Sequence, residues 1–157
     1  MDTLARLSAI EDIKQLKARY FRGVDTKDWD LLADVLAPDV TCDYRGSATD
    51  PATGVNHAPD ATSGVLVGRD AVLENLRRSL NGVVSAHQGY LPEIEILDAD
   101  AATGIWAMFD ILRFPPAYPL RELYGYGHYY EHYVRIGGDW RIQRLRLERL
   151  RVETTPA

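Results

Sequence analysis

Several features that mark specialised proteins are scarce or missing in this chain of 157 residues. It has a single cysteine, Cys42, which excludes a disulfide framework and a cysteine metal site. No apolar run approaches the roughly 18 residues of a membrane span, and no signal-peptide pattern is present. The formal net charge of -5 gives no support to binding of nucleic acids or anionic membranes. A cytoplasmic protein without nucleic-acid or membrane partners is therefore expected.

The composition is otherwise ordinary for a folded domain, with 46% hydrophobic and 26% charged residues. A chain of this length can bury a sizeable core without disulfides or metals, and it has the size of one domain. We therefore expect residues 1–157 to form a single domain.

Apolar residues at three- and four-residue steps predict a first helix over residues 1–24. Ser8 and Glu11 fit a capping box, although the apolar pattern also allows an earlier start. Tyr20 falls on the buried face of this helix, and Asp25 directly follows its expected end. Both polar groups are therefore expected close to the interior of the domain.

Asp28 is the expected N-cap of a second helix that Pro38 stops, and residues 40–44 then predict a short strand. Residues 45–67 are rich in Gly, Ser, Thr, Pro and Asp, a composition that predicts a long loop. Loops of this length in compact domains are usually functional. We expect this loop to border a pocket mouth and act as a lid, ahead of a third helix within residues 68–82.

The second half of the chain predicts four long strands. Their expected ranges are 83–97, 102–114, 120–136 and 140–152. The apolar residues of the last strand change parity twice, which predicts bulges and a strongly curved sheet. We therefore expect an α+β domain, in which three N-terminal helices pack on a curved mixed or antiparallel sheet and form a cone-shaped pocket.

His87 lies in a small-residue, β-prone segment that opens the first long strand. A lone histidine in a strand is more often structural, but imidazole titrates near neutrality and suits proton transfer. If the fold brings Asp25 to His87, the carboxylate would fix the imidazole tautomer and stabilise the imidazolium. The plain alternative is that Asp25 caps the second helix, a role for which Asp28 is better placed. We therefore expect an Asp25–His87 hydrogen bond of roughly 2.6–3.2 Å.

Tyr20 and Asp110 are the other catalytic candidates. Tyr20 is either a core aromatic or a hydrogen-bond donor that polarises a substrate carbonyl. Asp110 interrupts an apolar strand, where a carboxylate is costly unless it is paired or neutral. A neutral carboxyl would assist the departure of a hydroxyl group, whereas Arg113 or an arginine of a neighbouring strand would make Asp110 part of an ion pair. The residues alone leave both alternatives open.

Aromatic and apolar side chains supply the rest of the expected pocket. The strand at 120–136 has one face with Tyr126 and His128 and another with Tyr129 and Tyr133, and its pattern leaves open which face points inward. Two alternating histidines are weak evidence for a metal, so neither a metal nor a cofactor is expected. The predicted substrate pocket contains Trp29, Tyr44, Trp106, Met108, Tyr126 and His128.

The chain resembles the SnoaL-like branch of the nuclear transport factor 2-like superfamily in its element order and local motifs. These motifs are the helix ending near Tyr20 and Asp25, the helix after Gly68, and the closing residues Gly127, Tyr133-Val134-Arg135 and Trp140-Arg141-Ile142. Within that branch it is most similar to the scytalone dehydratase and bile acid 7α-dehydratase group. The resemblance assigns the site to Tyr20, Asp25, His87 and Asp110. The aspartate–histidine pair also resembles the dyad of the hexachlorocyclohexane dehydrochlorinase group.

This resemblance implies a cofactor-independent dehydratase in which His87 removes a proton next to a carbonyl of a small hydrophobic cyclic substrate. Isomerase or polyketide-cyclase chemistry on the same scaffold is an alternative, as is a non-catalytic binding module. An epoxide hydrolase is disfavoured, because Met108 stands where that group carries an arginine. The apolar surfaces around Trp106 and after Leu120 exceed what three helices cover, so a homodimer or homotrimer is expected.

Overall fold

The computed structural model describes residues 2–58 and 64–157, which contain three helices and six strands. The helices are α1 (Thr3–Thr26), α2 (Trp29–Val35) and α3 (Arg69–Ser79). The strands are β1 (Leu36–Asp43), β2 (Val65–Val67), β3 (Val84–Ile96), β4 (Ala101–Arg113), β5 (Leu120–Ile136) and β6 (Asp139–Pro156). Within these residues, no helix combines the length and the apolar character that a membrane crossing requires.

The strands form one open sheet in the order β2-β1-β6-β5-β4-β3. The long strands β3 to β6 pair antiparallel with their neighbours, whereas β1 runs parallel to β6. The expected α+β class, with three helices packed on a mixed sheet, is confirmed. The parallel β1–β6 pairing places the end of α2 beside the last strand, because Leu36 pairs with Ile142. The helices pack on the sheet.

The first helix begins and ends two residues later than the predicted range 1–24. Asp2 is its N-cap, accepting a hydrogen bond of 2.8 Å from the backbone N–H of Ala5, so the capping box expected at Ser8 is not used. At the other end the helix continues to Thr26. Asp25 therefore lies in the last turn of α1 rather than beyond it, and its direction is fixed by the helix.

The region between α1 and α3 differs from the prediction in two respects. Asp28 caps α2 as expected, accepting from the backbone N–H of Leu31 at 3.0 Å, but β1 starts before Pro38 rather than after it. The predicted loop at 45–67 ends in strand β2, which pairs with β1. Strand β2 has three residues, all apolar, which is too short for an alternating pattern that would predict a strand.

The sheet is irregular where the sequence predicts bulges. The pairing of β5 with β6 shifts between Tyr126 and Gly127 and again between His132 and Tyr133. The pairing of β3 with β4 also shifts, between Gly89 and Pro92. Each shift adds local twist and bends the strand, so the long strands curve around the helices.

The inward face of β5, which the sequence leaves open, is the one that carries Tyr129, Glu131 and Tyr133. All three side chains are buried, whereas Tyr126 is 37% exposed on the opposite face. His128 shares that outer face because strand residues alternate. The outer surface of the sheet thus carries aromatic side chains, and the expected use of the sheet as a subunit interface stays a prediction.

Candidate active site

A cavity of about 390 Å³ lies between the helices and the inner face of the sheet. Its polar lining includes Tyr20, Tyr44, His87, Asp110 and Arg149, drawn from α1, the end of β1, β3, β4 and β6. Most of the other lining side chains are apolar, including leucines and valines. A concave, mostly apolar site with a few convergent polar groups is typical of small-molecule binding.

Asp25 and His87 form the hydrogen-bonded pair that the sequence predicts. The Asp25 Oδ1 atom lies 2.7 Å from His87 Nδ1, and Asp25 Oδ2 accepts from the His87 backbone N–H at 2.8 Å. The Ser85 hydroxyl also donates to Asp25 Oδ1, at 2.9 Å. The carboxylate therefore holds both the ring and the backbone of His87, which fixes the orientation of the imidazole.

The charge of Asp25 determines the tautomer of His87. Burial of this carboxyl opposes ionisation, but hydrogen bonds from the His87 ring, the His87 backbone and Ser85 lower the pKa of Asp25 below its usual value. Asp25 is thus an acceptor at neutral pH, and the proton of the neutral imidazole resides on Nδ1. The Nε2 atom is then an unprotonated base, 3.7 Å from Asp110 Oδ2, on a residue that lines the cavity.

Asp110 is paired with an arginine, which bears on its two sequence-based interpretations. Arg149 Nη2 lies 2.8 Å from Asp110 Oδ2, and both side chains are almost fully buried. A guanidinium is a strong hydrogen-bonding partner for a buried carboxyl group. The geometry thus matches the ion-pair alternative, and proton donation by Asp110 stays a prediction. The partner also differs from Arg113, which instead faces Glu122 at the surface.

Arg149 is a site residue that sequence reasoning missed. Its Nε donates to the backbone oxygen of Ser47 at 2.7 Å, so one guanidinium joins the loop after β1 to Asp110. Arg149 is one of several arginines in β6, and the bulges of that strand decide which of them points inward. The signal in the sequence was the parity change of β6, but it did not single out Arg149.

Gly125 makes room for this ion pair. Asp110 and Arg149 belong to β4 and β6, and β5 runs between these strands with Gly125 opposite Asp110. A Cβ atom at Gly125 would lie 2.2 Å from both Arg149 Nη1 and Asp110 Oδ1. The two charged side chains thus meet over the bare backbone of β5, where any other residue would separate them.

Gly125→Ala is expected to lower the free energy of unfolding by about 1–3 kcal/mol, as overpacking of a buried site does. The added methyl group must displace either Arg149 or Asp110, because both lie far inside van der Waals contact. Urea unfolding measures the effect. Gly64→Ala is the matched control, because its added Cβ would meet nothing within 4 Å. Equal stability of the two variants would contradict the packing described.

Tyr20 and Tyr44 place two hydroxyl groups on the cavity wall, with their oxygen atoms 3.1 Å apart. Burial raises the pKa of Tyr20 and of Tyr44 above the usual value, so both stay protonated at neutral pH. One hydroxyl donates to the other, and the second then has a proton to offer to a ligand oxygen. Tyr44 is the member of the predicted pocket set that lines this cavity.

A buried ion pair lies next to the aromatic rings of the cavity wall. The Lys17 ammonium contacts the Glu131 carboxylate, and neither side chain is exposed. The Lys17 Nζ lies 3.8 Å from the ring centroid of Tyr129, 4.3 Å from that of Tyr20 and 4.6 Å from that of Phe21. These rings face the cation with their electron-rich surfaces. The charge therefore fixes the positions of the aromatic side chains that separate it from the cavity.

Trp106 and Met108 are buried but do not line the cavity, so their expected pocket roles are wrong. The indole N–H of Trp106 donates to the Tyr133 hydroxyl at 2.7 Å, and that hydroxyl donates to Glu131 at 2.6 Å. The sulfur of Met108 lies 3.3 Å from Arg149 Nη1. Both residues support polar groups rather than presenting an apolar surface to a ligand.

Trp29, Tyr126 and His128 lie away from the cavity, which corrects the remaining pocket assignments. Trp29 lines a separate groove. The Arg77 guanidinium lies over its indole, with Arg77 Cζ 5.5 Å from the centroid of the Trp29 ring. Tyr126 and His128 point outward from β5, where Tyr126 packs on Phe109 with ring centroids 4.9 Å apart. Tyr126 and His128 lie outside because the opposite face of β5 points inward.

The loop that follows β1 borders the cavity as expected, through Ser47, Ala48 and Ala58. It is tied to β6, because Asp50 accepts from the Val152 backbone N–H at 3.0 Å. Part of the predicted lid, residues 59–63, lies outside the described residues. A lid motion of this loop stays a prediction.

The chain belongs to the SnoaL-like domain family, whose model matches residues 5–146. The fold is that of the nuclear transport factor 2-like superfamily. The resemblance noted in the sequence is thus confirmed at the level of the family.

Solved structures with the same fold cover nearly the whole chain. A scytalone dehydratase-like protein from Novosphingobium aromaticivorans has a TM-score of 0.79 at 19% identity, over 97% of this chain and 91% of its own. The hexachlorocyclohexane dehydrochlorinase LinA-type3 from Novosphingobium barchaimii has a TM-score of 0.77 at 19% identity, over 99% and 94%. A protein of unknown function from Mycobacterium tuberculosis is 25% identical, with a TM-score of 0.71 over 92% and 73%. At 19% identity, the first two likenesses concern the fold alone.

Proposed function

We propose that this protein is a cofactor-independent lyase of the dehydratase type, acting on a small hydrophobic cyclic hydroxy-ketone. The observation that carries the proposal is the orientation of His87. Its Nδ1 is held by ionised Asp25, which leaves Nε2 as a base on a residue that lines the cavity. A histidine held in this way suits abstraction of a carbon-bound proton at neutral pH.

The first step is removal of the proton next to the substrate carbonyl. The C–H bond breaks, its proton moves to His87 Nε2, and the electron pair shifts onto the carbonyl oxygen as an enolate. Asp25 stabilises the imidazolium through Nδ1, and Asp110 adds a second negative charge 3.7 Å from Nε2. Two carboxylates thus favour the charged state of the base that the step creates.

The enolate oxygen needs a hydrogen-bond donor, and the Tyr20–Tyr44 pair supplies one. Both hydroxyls stay protonated because burial raises their pKa. A donor already oriented by a neighbouring hydroxyl requires little rearrangement when the negative charge forms. Tyr20 therefore keeps the role expected for it, with Tyr44 as its partner.

The second step is loss of the hydroxyl group from the β-carbon. The enolate collapses to the carbonyl, a carbon–carbon double bond forms, and the carbon–oxygen bond breaks. Because Asp110 is paired with Arg149, we assign protonation of the departing oxygen to the Nε2 proton of His87. Water leaves and His87 is neutral again, so the cycle consumes neither protons nor electrons.

Isomerisation is the second candidate, and the Asp110–Arg149 pair is compatible with it. With Asp110 committed to Arg149, His87 is the one group assigned to proton transfer in both steps. Return of the same proton to a different carbon would move a double bond without loss of water. The close Asp25–His87 contact weighs against a binding module without chemistry.

A panel of cyclic β-hydroxy ketones and β,γ-unsaturated ketones tests the function. Ultraviolet absorbance of the conjugated enone reports both reactions, and mass spectrometry separates them, because dehydration removes one water and isomerisation leaves the mass unchanged. Asp25→Asn is expected to lower kcat by about 10⁴-fold, because the amide supports the wrong imidazole tautomer. Asp43→Asn, at a carboxylate paired with Arg45, is the control. Turnover of no member of the panel, or equal turnover by Asp25→Asn, would overturn the proposed function.

A further inference from the structure

Lys27 occupies a backbone position that glycine usually fills. It follows α1 as its C-cap with φ 58, and it is the one non-glycine residue with a positive φ among residues 2–58 and 64–157. The capping hydrogen bonds there run from its backbone N–H to Gly23 and Val24, so they do not require the side chain. A residue with a Cβ is strained in this conformation. The contacts of the lysine side chain are therefore of interest.

The side chain of Lys27 turns back toward the Asp25–His87 pair. Its Nζ donates to the Ser85 hydroxyl at 3.0 Å and to the backbone oxygen of Asp25 at 3.3 Å. The Ser85 hydroxyl in turn donates to Asp25 Oδ1 at 2.9 Å, the same atom that binds His87 Nδ1. A continuous hydrogen-bonded chain thus runs from the Lys27 ammonium to the imidazole.

We propose that Lys27 is a positioning residue of the Asp25–His87 pair, acting through Ser85. Its ammonium orients the Ser85 hydroxyl toward Asp25 and opposes formation of the imidazolium on His87. This role rests on the proposed function, in which His87 is the base. The hydrogen-bonded chain itself does not depend on any substrate.

The orienting effect follows from the donors and acceptors involved. A hydroxyl has one proton and accepts through its lone pairs. Because Lys27 can only donate, the Ser85 oxygen accepts from it, and the Ser85 proton is left for Asp25. Without Lys27 the hydroxyl can rotate away, and Asp25 Oδ1 would lose one of its two donors. The imidazole would then be held by a less restrained carboxylate.

The charge effect follows from the groups that face His87. Asp25 and Lys27 approach it from the end of α1, Asp110 from β4, and Arg149 through Asp110 from β6. The two carboxylates favour the imidazolium, and the two cations oppose it. Lys27 is partly buried. Its removal takes away one of the positive charges that offset the negative charges of Asp25 and Asp110. The imidazole should then hold its proton to a higher pH.

Lys27→Gly separates this role from a structural one. Glycine fits the positive φ without strain, so a purely structural role predicts a protein at least as stable as wild type with unchanged His87 titration. We expect the titration midpoint of the His87 ring in ¹⁵N NMR spectra to move upward by about 0.5–1 pH unit. Lys27→Met should also move the His87 midpoint upward. This second variant shows that the shift does not come from the flexibility of glycine. Lys14→Met, at an exposed lysine, should leave the midpoint in place.

The titration requires no substrate, so its failure differs from failure of the proposed function. An unchanged His87 midpoint in folded Lys27→Gly and Lys27→Met proteins would overturn the role of Lys27, whatever the ketone panel shows. A shifted midpoint would support it even if no panel member reacts. With a reactive panel member, the acidic limb of kcat/KM should move upward with the NMR midpoint.

Discussion

His87→Ala is expected to lower kcat by about 10²–10⁴-fold, the usual contribution of a positioned acid or base. The variant removes the atom that takes the carbon-bound proton, while the cavity wall around it keeps its other polar groups. KM should change much less, because the Tyr20 and Tyr44 hydroxyls, to which we assign contact with the carbonyl, are retained. The measurement is steady-state turnover of a reactive ketone from the panel, with thermal unfolding of the same samples.

His128→Ala is the matched control for this experiment. It removes the same side chain from the outer face of β5, outside the cavity. Its turnover should equal that of wild type. Near wild-type turnover of a folded His87→Ala protein would exclude the mechanism, and a loss of turnover in both variants would point to a shared structural effect.

Lys17→Met is expected to lower the free energy of unfolding by about 3–5 kcal/mol, the usual effect of breaking a buried ion pair. The change leaves the Glu131 carboxylate uncompensated in the interior, where neither member of the pair is exposed. Much of the loss should return in Lys17→Met/Glu131→Gln, because the double variant buries no net charge. Denaturant unfolding of both proteins measures the difference.

The exposed Lys14–Glu11 pair provides the comparison for Lys17. Both of its side chains are largely in solvent, so Lys14→Met should change the free energy of unfolding by about 0.5 kcal/mol or less. If Lys17→Met is no less stable than Lys14→Met, the burial of a charged Lys17 is contradicted. If the double variant is less stable than Lys17→Met, the remaining carboxylate is not the cause of the loss.

The sequence predicts the Asp25–His87 pair because two independent kinds of information agree on it. Helical periodicity places Asp25 at the end of the first helix, and the family resemblance places His87 opposite that end. The helices follow from apolar residues at three- and four-residue steps. The long strands and their bulges follow from two-residue alternation and its interruptions. Such patterns depend on near neighbours in the chain, so they are accessible without coordinates.

Arg149, Lys17 and the inward face of β5 depend on contacts between distant residues. Arg149 reaches Asp110 across a strand, which requires both the bulges of β6 and the missing side chain of Gly125. Lys17 lies on the apolar stripe of α1, but its burial depends on Glu131, 114 residues away. Neither residue type nor spacing contains that information.

The strand that carries His87 is an edge of the sheet, and this has a consequence for aggregation. Unpaired N–H groups on an edge strand can bind strands of other molecules. Here Asp25 Oδ2 accepts the His87 backbone N–H at 2.8 Å, so a helix side chain takes the place of a neighbouring strand. The carboxylate that orients the imidazole thus also occupies one backbone donor of the edge. A protein that loses Asp25 to alanine would expose this donor, whereas asparagine still offers it an acceptor.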